Sequence, residues 1–250
     1  MTRKLLITLV LLMIPMSARG EGINLSWDDC GTHGTCFKSF ACNTNTGFPF
    51  VLIGSFVPPA GNTKITGEEV VIDVVNPGYD GPGPVSPIPD WWMFKNAGTC
   101  RRTALIGDID FLGHDLVSCE DYWAPRGGAG GISAYQAPYA GMANRARLLL
   151  VFAVPPALAT ALDPGVEYYA FRVAITRTNT VGTGACGGCT TRMQIMLTEV
   201  KLTQPVGVGD FRIQTPVVQN TAYWQDGQYY GCGYVPVRNS TWGAIKAQYR

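Results

Sequence analysis

The sequence predicts an all-β protein, an antiparallel β-sandwich of jelly-roll or Ig/cohesin-like type stabilised by disulfides. Three observations carry that prediction. Short apolar or alternating runs recur along the chain, and helical periodicity between them is scarce. The chain holds 30 Gly and 17 Pro, and they punctuate the runs as turn residues do. It also holds 8 Cys, an even number, in a sequence that is only 15% charged.

The N-terminus sets the compartment. Thr2-Arg3-Lys4 is basic, Leu5–Ile14 is apolar, Pro15 breaks the run, and Ala18-Arg19-Gly20 offers small residues for cleavage. This three-part order reads as a signal peptide over residues 1–20. A spanning helix needs roughly 20 apolar residues, and neither this run nor any later one is that long. The expected destination is secretion: extracellular space, cell surface or periplasm. The leader's style reads as bacterial, so Asn24-Leu25-Ser26 and Asn239-Ser240-Thr241 are not expected to carry glycans.

Removing Arg3, Lys4 and Arg19 with the leader leaves 16 of the 19 basic residues against 18 acidic ones. A nearly neutral chain has little electrostatic attraction for a polyanion, so nucleic acid is not an expected partner.

The remainder divides into a sandwich domain over 21–235 and a basic tail over 236–250. The expected strands are Phe48–Val57, Glu69–Val75, Arg147–Val154, Glu167–Thr176, Met193–Leu202 and a short one from Phe211 to Ile213. In the fourth, Tyr169, Phe171, Val173 and Ile175 share the apolar face. In the fifth, Met193, Ile195, Leu197, Glu199 and Lys201 oppose Gln194, Met196, Thr198, Val200 and Leu202. Pro77–Asp90 reads as an irregular excursion within one domain, Gly127–Gly131 as a flexible loop, and Pro156–Leu162 as one helical turn. In the tail, Trp242, Ile245 and Tyr249 fall at helical spacing behind Ser240 or Thr241. That turn would either dock on its own domain or be read by a sorting or anchoring machine.

An even cysteine count in an exported chain reads as disulfides. Spacing along the chain favours Cys100–Cys119, Cys30–Cys42 and Cys186–Cys189, which leaves Cys36–Cys232. Two other uses are weighed against these. Cys186-Gly187-Gly188-Cys189 has thioredoxin-type spacing but lies among glycines rather than at a helix start. Cys30, His33, Cys36 and Cys42 would make a zinc set, which an oxidising compartment disfavours.

Candidate chemistry is sparse. His33 and His114 are the only histidines, and no Gly-x-Ser-x-Gly elbow occurs. Asp108, Asp110, Asp115, Glu120 and Asp121 crowd one stretch. Such carboxylates make solvated turns, hold calcium or serve a glycosidase in pairs. Trp91, Trp92, Trp123, Tyr135 and Trp224 are candidates for stacking on sugar rings, against the alternative that they fill the core. Trp91 and Trp92 would face opposite ways if extended.

Ile23–Cys30 (INLSWDDC), Phe40–Thr46 (FACNTNT), Pro89–Arg101 (PDWWMFKNAGTCR), Val206–Phe211 (VGVGDF) and Thr241–Arg250 (TWGAIKAQYR) resemble a group of uncharacterised exported bacterial proteins. The resemblance implies secretion or envelope location and brings no activity, cofactor or site residue. The expected function is a non-enzymatic binding or structural module, with polysaccharide or a cell-surface protein as partner. The alternatives are a carbohydrate-binding sandwich with structural calcium and a glycoside hydrolase; no cofactor other than calcium is expected.

Overall fold

A computed structural model describes residues 20–31, 33–78, 86–96, 98–114 and 116–225. Residues 1–19 of the expected leader and the basic tail lie outside them, as do Asp115 and Cys232. The strands among the described residues are β1 (Gly22–Trp27), β2 (Phe37–Lys38), β3 (Phe50–Val57), β4 (Gly67–Val75), β5 (Leu105–Asp108), β6 (Ala129–Gln136), β7 (Arg145–Ala153), β8 (Tyr168–Ile175), β9 (Met193–Thr203), β10 (Phe211–Ile213) and β11 (Thr221–Trp224). They form two sheets, ordered β1-β3-β8-β5 and β2-β11-β9-β4-β7-β6, with β10 also paired to β9. Every strand pairing is antiparallel except β2 with β11. The fold class is as the sequence predicts. Among the described residues no helix is long and apolar enough to cross a membrane.

The core lies between the sheets. Ile23, Leu25 and Trp27 of β1 meet Leu52, Phe56 and Val173 from β3 and β8, and Val70, Ile72 and Val74 of β4 meet Leu148, Leu150 and Ile195. Tyr169, Phe171, Val173 and Ile175 are buried as expected, and so are Ala170 and Ala174 from the other face of β8. Gly54 is required where β3 crosses β8, because a Cβ there would lie 2.1 Å from Cε1 of Phe171.

Strand β9 departs from simple alternation. Met193, Ile195 and Leu197 are buried, but so are Val200 and Leu202, which the period of two assigns to the opposite face. A register shift reconciles them: Ile72 faces Leu197 while Val71 faces Glu199. The skipped Thr198 donates its hydroxyl to the Val71 carbonyl at 3.0 Å. A bulge of this kind resets the faces of a strand.

Three local expectations are corrected. Gly127–Gly131 is not a loop throughout, because β6 begins at Ala129. Glycine there allows close approach: a Cβ on Gly130 would lie 2.1 Å from the Val151 carbonyl oxygen. Pro156–Leu162 forms no helix; a turn closes with Leu158 N donating to Pro155 O at 2.8 Å, and the chain then runs on so that Thr160 O accepts from Ile65 N. Trp91 and Trp92 lie in a 3-10 turn, Asp90–Trp92, which buries both rather than splitting them between faces.

The disulfides are also re-paired. They join Cys30 to Cys119, Cys42 to Cys189 and Cys100 to Cys186, across separations of 89, 147 and 86 residues. None of the expected pairs Cys100–Cys119, Cys30–Cys42 and Cys186–Cys189 forms. The expectation weighed closeness along the chain, whereas a sandwich brings distant loops together at its ends. Cys36 is disulfide-bonded as well, and its expected partner, Cys232, lies outside the described residues.

Candidate functional site

None of the five candidate aromatic residues forms an exposed platform. Trp91, Trp92, Trp123 and Trp224 are at most 1% exposed and Tyr135 is 6% exposed. Trp224 sits 4.9 Å from Trp91, 5.4 Å from Trp92 and 4.2 Å from Phe40, centroid to centroid. Four of their five polar atoms are used internally, and Trp92 Nε1 has no partner among the described residues. Trp224 Nε1 donates to Cys189 O at 2.6 Å, Trp123 Nε1 to Tyr169 O at 2.9 Å, and Tyr135 Oη to Trp92 O at 2.6 Å. Burial pushes the Tyr135 phenol well above its ordinary range. Large buried rings of this kind fill a sandwich core, and stacking on sugars would need them in solvent.

The candidate carboxylates do not converge. Asp108 is bound bidentately by Arg172, at 2.9 and 2.8 Å. Asp110 accepts from Leu112 N at 3.2 Å in a local turn. Asp121 Oδ1 accepts from Trp123 N at 2.8 Å and Ala124 N at 3.1 Å, which starts the 3-10 turn Ala124–Arg126. Glu120 contributes its backbone, bridging to Glu167 and Tyr169. Asp115 lies outside the described residues. His33 and His114 are exposed. The four described acids thus serve turns, an ion pair and a backbone bridge, not one shared cavity.

Two other arrangements emerge. The first is a cross-linked set of loops at one end of the sandwich. Cys42–Cys189 and Cys100–Cys186 tie together the segments before β3, before β5 and between β8 and β9. Asn45 Oδ1 accepts from Thr180 N at 2.8 Å and Val181 N at 2.9 Å, adding a third tie. Beneath lies Arg101, its guanidinium 3.5 Å from the Trp91 ring centroid and its Nη2 donating to Thr176 O at 2.6 Å. Burial lowers its pKa to about 9. On this braced base Phe48 is 91% exposed, its carbonyl held by Arg177 Nε at 3.1 Å.

The second is a buried polar layer. Asn24, Ser26 and Ser55 alternate with core residues and so point away from the core, yet all three are fully buried. Gly34 packs against Ser26, whose hydroxyl donates to Asp29 O, and Asn24 Oδ1 accepts from Val218 N at 2.8 Å and Gln219 N at 3.2 Å. Glu167 Oε1 accepts from Asn24 Nδ2 at 2.7 Å and Ser55 Oγ at 2.6 Å. Asp29 accepts from Cys30 N at 2.7 Å, Tyr169 Oη at 3.0 Å and the Ser118 hydroxyl. Phe111 stacks on Tyr169 with centroids 4.6 Å apart. Burial, the largest cause, and the bond to Asp29 push the Tyr169 phenol up to about 12, against opposing backbone donors.

Among the described residues, one group of three His, Cys, Asp or Glu donor atoms converges within 4.8 Å: Cys30, Cys119 and Glu167. Sequence reasoning missed Glu167 and Phe48. Glu167 had no nearby cysteine in the chain to mark it, and Phe48 reads as the first residue of an apolar strand.

The chain matches no family model, no curated protein and no solved structure.

Proposed function

We propose that this protein is an extracytoplasmic, non-enzymatic binding module that engages a cell-surface protein or polysaccharide through its cross-linked loops. The observation that supports it is Phe48, a fully presented aromatic on loops braced by two disulfides and the Asn45 bonds. Large exposed apolar side chains on a rigid base are what binding loops use, because little conformational freedom is lost on association. The disulfides support the compartment, since such bonds persist where thiols are oxidised.

The test is binding of the oxidatively folded protein to arrays of surface polysaccharides and extracellular proteins. Saturable binding lost at least tenfold in Phe48→Asp, and kept in Val206→Asp on the β9–β10 turn, is the expected result. Equal binding by both variants rejects the loop surface. Turnover of any arrayed substrate rejects the non-enzymatic reading.

A further inference from the structure

We propose that the partner of the cross-linked loops is an acidic polysaccharide, a sugar chain bearing regularly spaced carboxylate groups. This deepens the binding reading given above and rests on it. The cross-linked end is built from the segments 39–49, 93–104 and 176–192, and its charge differs from that of the rest of the molecule. Lys95, Arg101, Arg102, Arg177 and Arg192 lie in these segments, and all 18 acidic residues of the chain lie outside them. Two disulfides and the Asn45 bonds hold the segments together, which fixes the positive charge at one end of the sandwich.

Three features suit this end to an anion. Lys95 and Arg102 are exposed and adjacent, with Lys95 N donating to Arg102 O at 3.2 Å, and neither is ion-paired to a described carboxylate. Lys95 also holds φ +60°, a left-handed conformation that side chains other than glycine adopt only where the surroundings enforce it. Arg101 is 1% exposed, and its guanidinium meets the Trp91 ring, Thr176 O and Thr180 Oγ1 but no described carboxylate, with Nε unpartnered. A buried cation without an anion is costly, and an anion bound at this end offsets part of that cost through its field. Arg177 donates from Nε to Phe48 O at 3.1 Å and from Nη1 to Ala41 O at 3.2 Å, and among the described residues none bonds its Nη2.

The neutral groups select a sugar among anions. Asn43, Thr46, Thr178, Thr183 and Thr190 are exposed on the same segments and offer amides and hydroxyls to a hydroxyl-rich ligand. Among the described residues of these segments, Phe48 is the one large apolar side chain exposed. A protein interface centres on a cluster of apolar and aromatic anchors, and single-stranded nucleic acid stacks on successive aromatic rings. One ring among hydroxyls, amides and cations suits the face of one acidic sugar.

Polygalacturonate, alginate and hyaluronate are the acidic probes, and the methyl ester of each is its neutral counterpart. Each is titrated calorimetrically into the oxidatively folded protein. The expected result is saturable binding of at least one acidic polymer, weakened at least about tenfold by esterification, by Lys95→Glu/Arg102→Glu and by raising salt from about 0.05 to about 0.5 M. Val206→Asp, at the other end of β9, should bind as the parent does. The ester and salt arms use the unaltered chain and do not depend on the folding of a variant. Equal binding of an acidic polymer and its ester, no loss in folded Lys95→Glu/Arg102→Glu, or tighter binding of polyglutamate or single-stranded DNA than of every acidic polysaccharide overturns the proposal. So does a blank from all three acidic polymers. If a neutral glycan or a protein then binds and Phe48→Ala weakens it, the loop surface stands and the acidic partner alone is rejected.

Discussion

Glu68 on β4 is paired with Phe152 on β7, so that a carboxyl group faces the core beside a phenyl ring. The residue is 1% exposed and, among the described residues, neither of its oxygens has a hydrogen-bond partner. Desolvation raises its pKa well above the ordinary 4.5. In the unfolded chain the same group ionises at its ordinary pKa. The folded state therefore holds a proton that the unfolded state releases, and stability falls as pH rises from the unfolded value through the folded one. Glu68→Gln removes that pH dependence, and Glu68→Leu also removes the unsatisfied polar atoms, a gain of roughly 1–3 kcal/mol. Thermal melts across pH 4 to about 8 check this. Glu68→Gln should be close to the parent at the acid end and Glu68→Leu already more stable there, and both should gain on the parent toward the alkaline end.

Asp73 is the opposite case, a buried carboxylate with its partners in place. Arg147 binds it through Nε at 2.8 Å and Nη2 at 2.9 Å, and Arg145 Nη2 adds a third bond at 2.9 Å. The hydrogen bond to Asp73 raises the pKa of Arg147 further. Asp73→Ala leaves two guanidinium groups side by side on one face of the sheet. Both retain partial exposure to solvent, so the expected loss is reduced to about 1–3 kcal/mol. Urea titration measures it, and Arg145→Ala, which removes one bond of three, should cost less.

Gly54 tests packing. A methyl group there would sit 2.1 Å from Phe171 Cε1 and 2.3 Å from Cζ. Gly54→Ala must displace a fully buried ring and should cost about 1–3 kcal/mol. The double variant Gly54→Ala/Phe171→Leu should recover part of that loss if the clash is its cause.

Non-reducing peptide mapping should recover Cys30 with Cys119, Cys42 with Cys189 and Cys100 with Cys186. A peptide closed by Cys186–Cys189 would contradict the structure. Cys100→Ser/Cys186→Ser should lose about 3–5 kcal/mol, because that bond closes a loop of 86 residues in the unfolded chain.

What was legible in the sequence followed periodicity. The runs over Phe48–Val57, Glu69–Val75 and Glu167–Thr176 became β3, β4 and β8 because strict alternation or a bounded apolar run is itself the physical signature of a strand. Strand β6 was hidden because Gly130 and Gly131 read as a loop, while their real role is close approach to β7 and β5: Gly131 lacks a side chain where the Gly107 carbonyl passes 3.3 Å from its Cβ position. The second half of β9 departs from plain alternation, and nothing in the sequence marks it, because a bulge leaves no trace in composition. The cysteine pairs and the Glu167 cluster depend on which loops meet at the ends of two sheets, information that no local window contains.

The three described disulfides have overlapping spans, 30 to 119, 42 to 189 and 100 to 186. A single peptide-bond cut anywhere between Cys30 and Cys189 therefore falls inside at least one closed ring. Both fragments stay covalently attached, and sheet pairing can hold them in register. A protease that nicks an exposed loop in this region leaves a clipped molecule that still migrates as one until it is reduced.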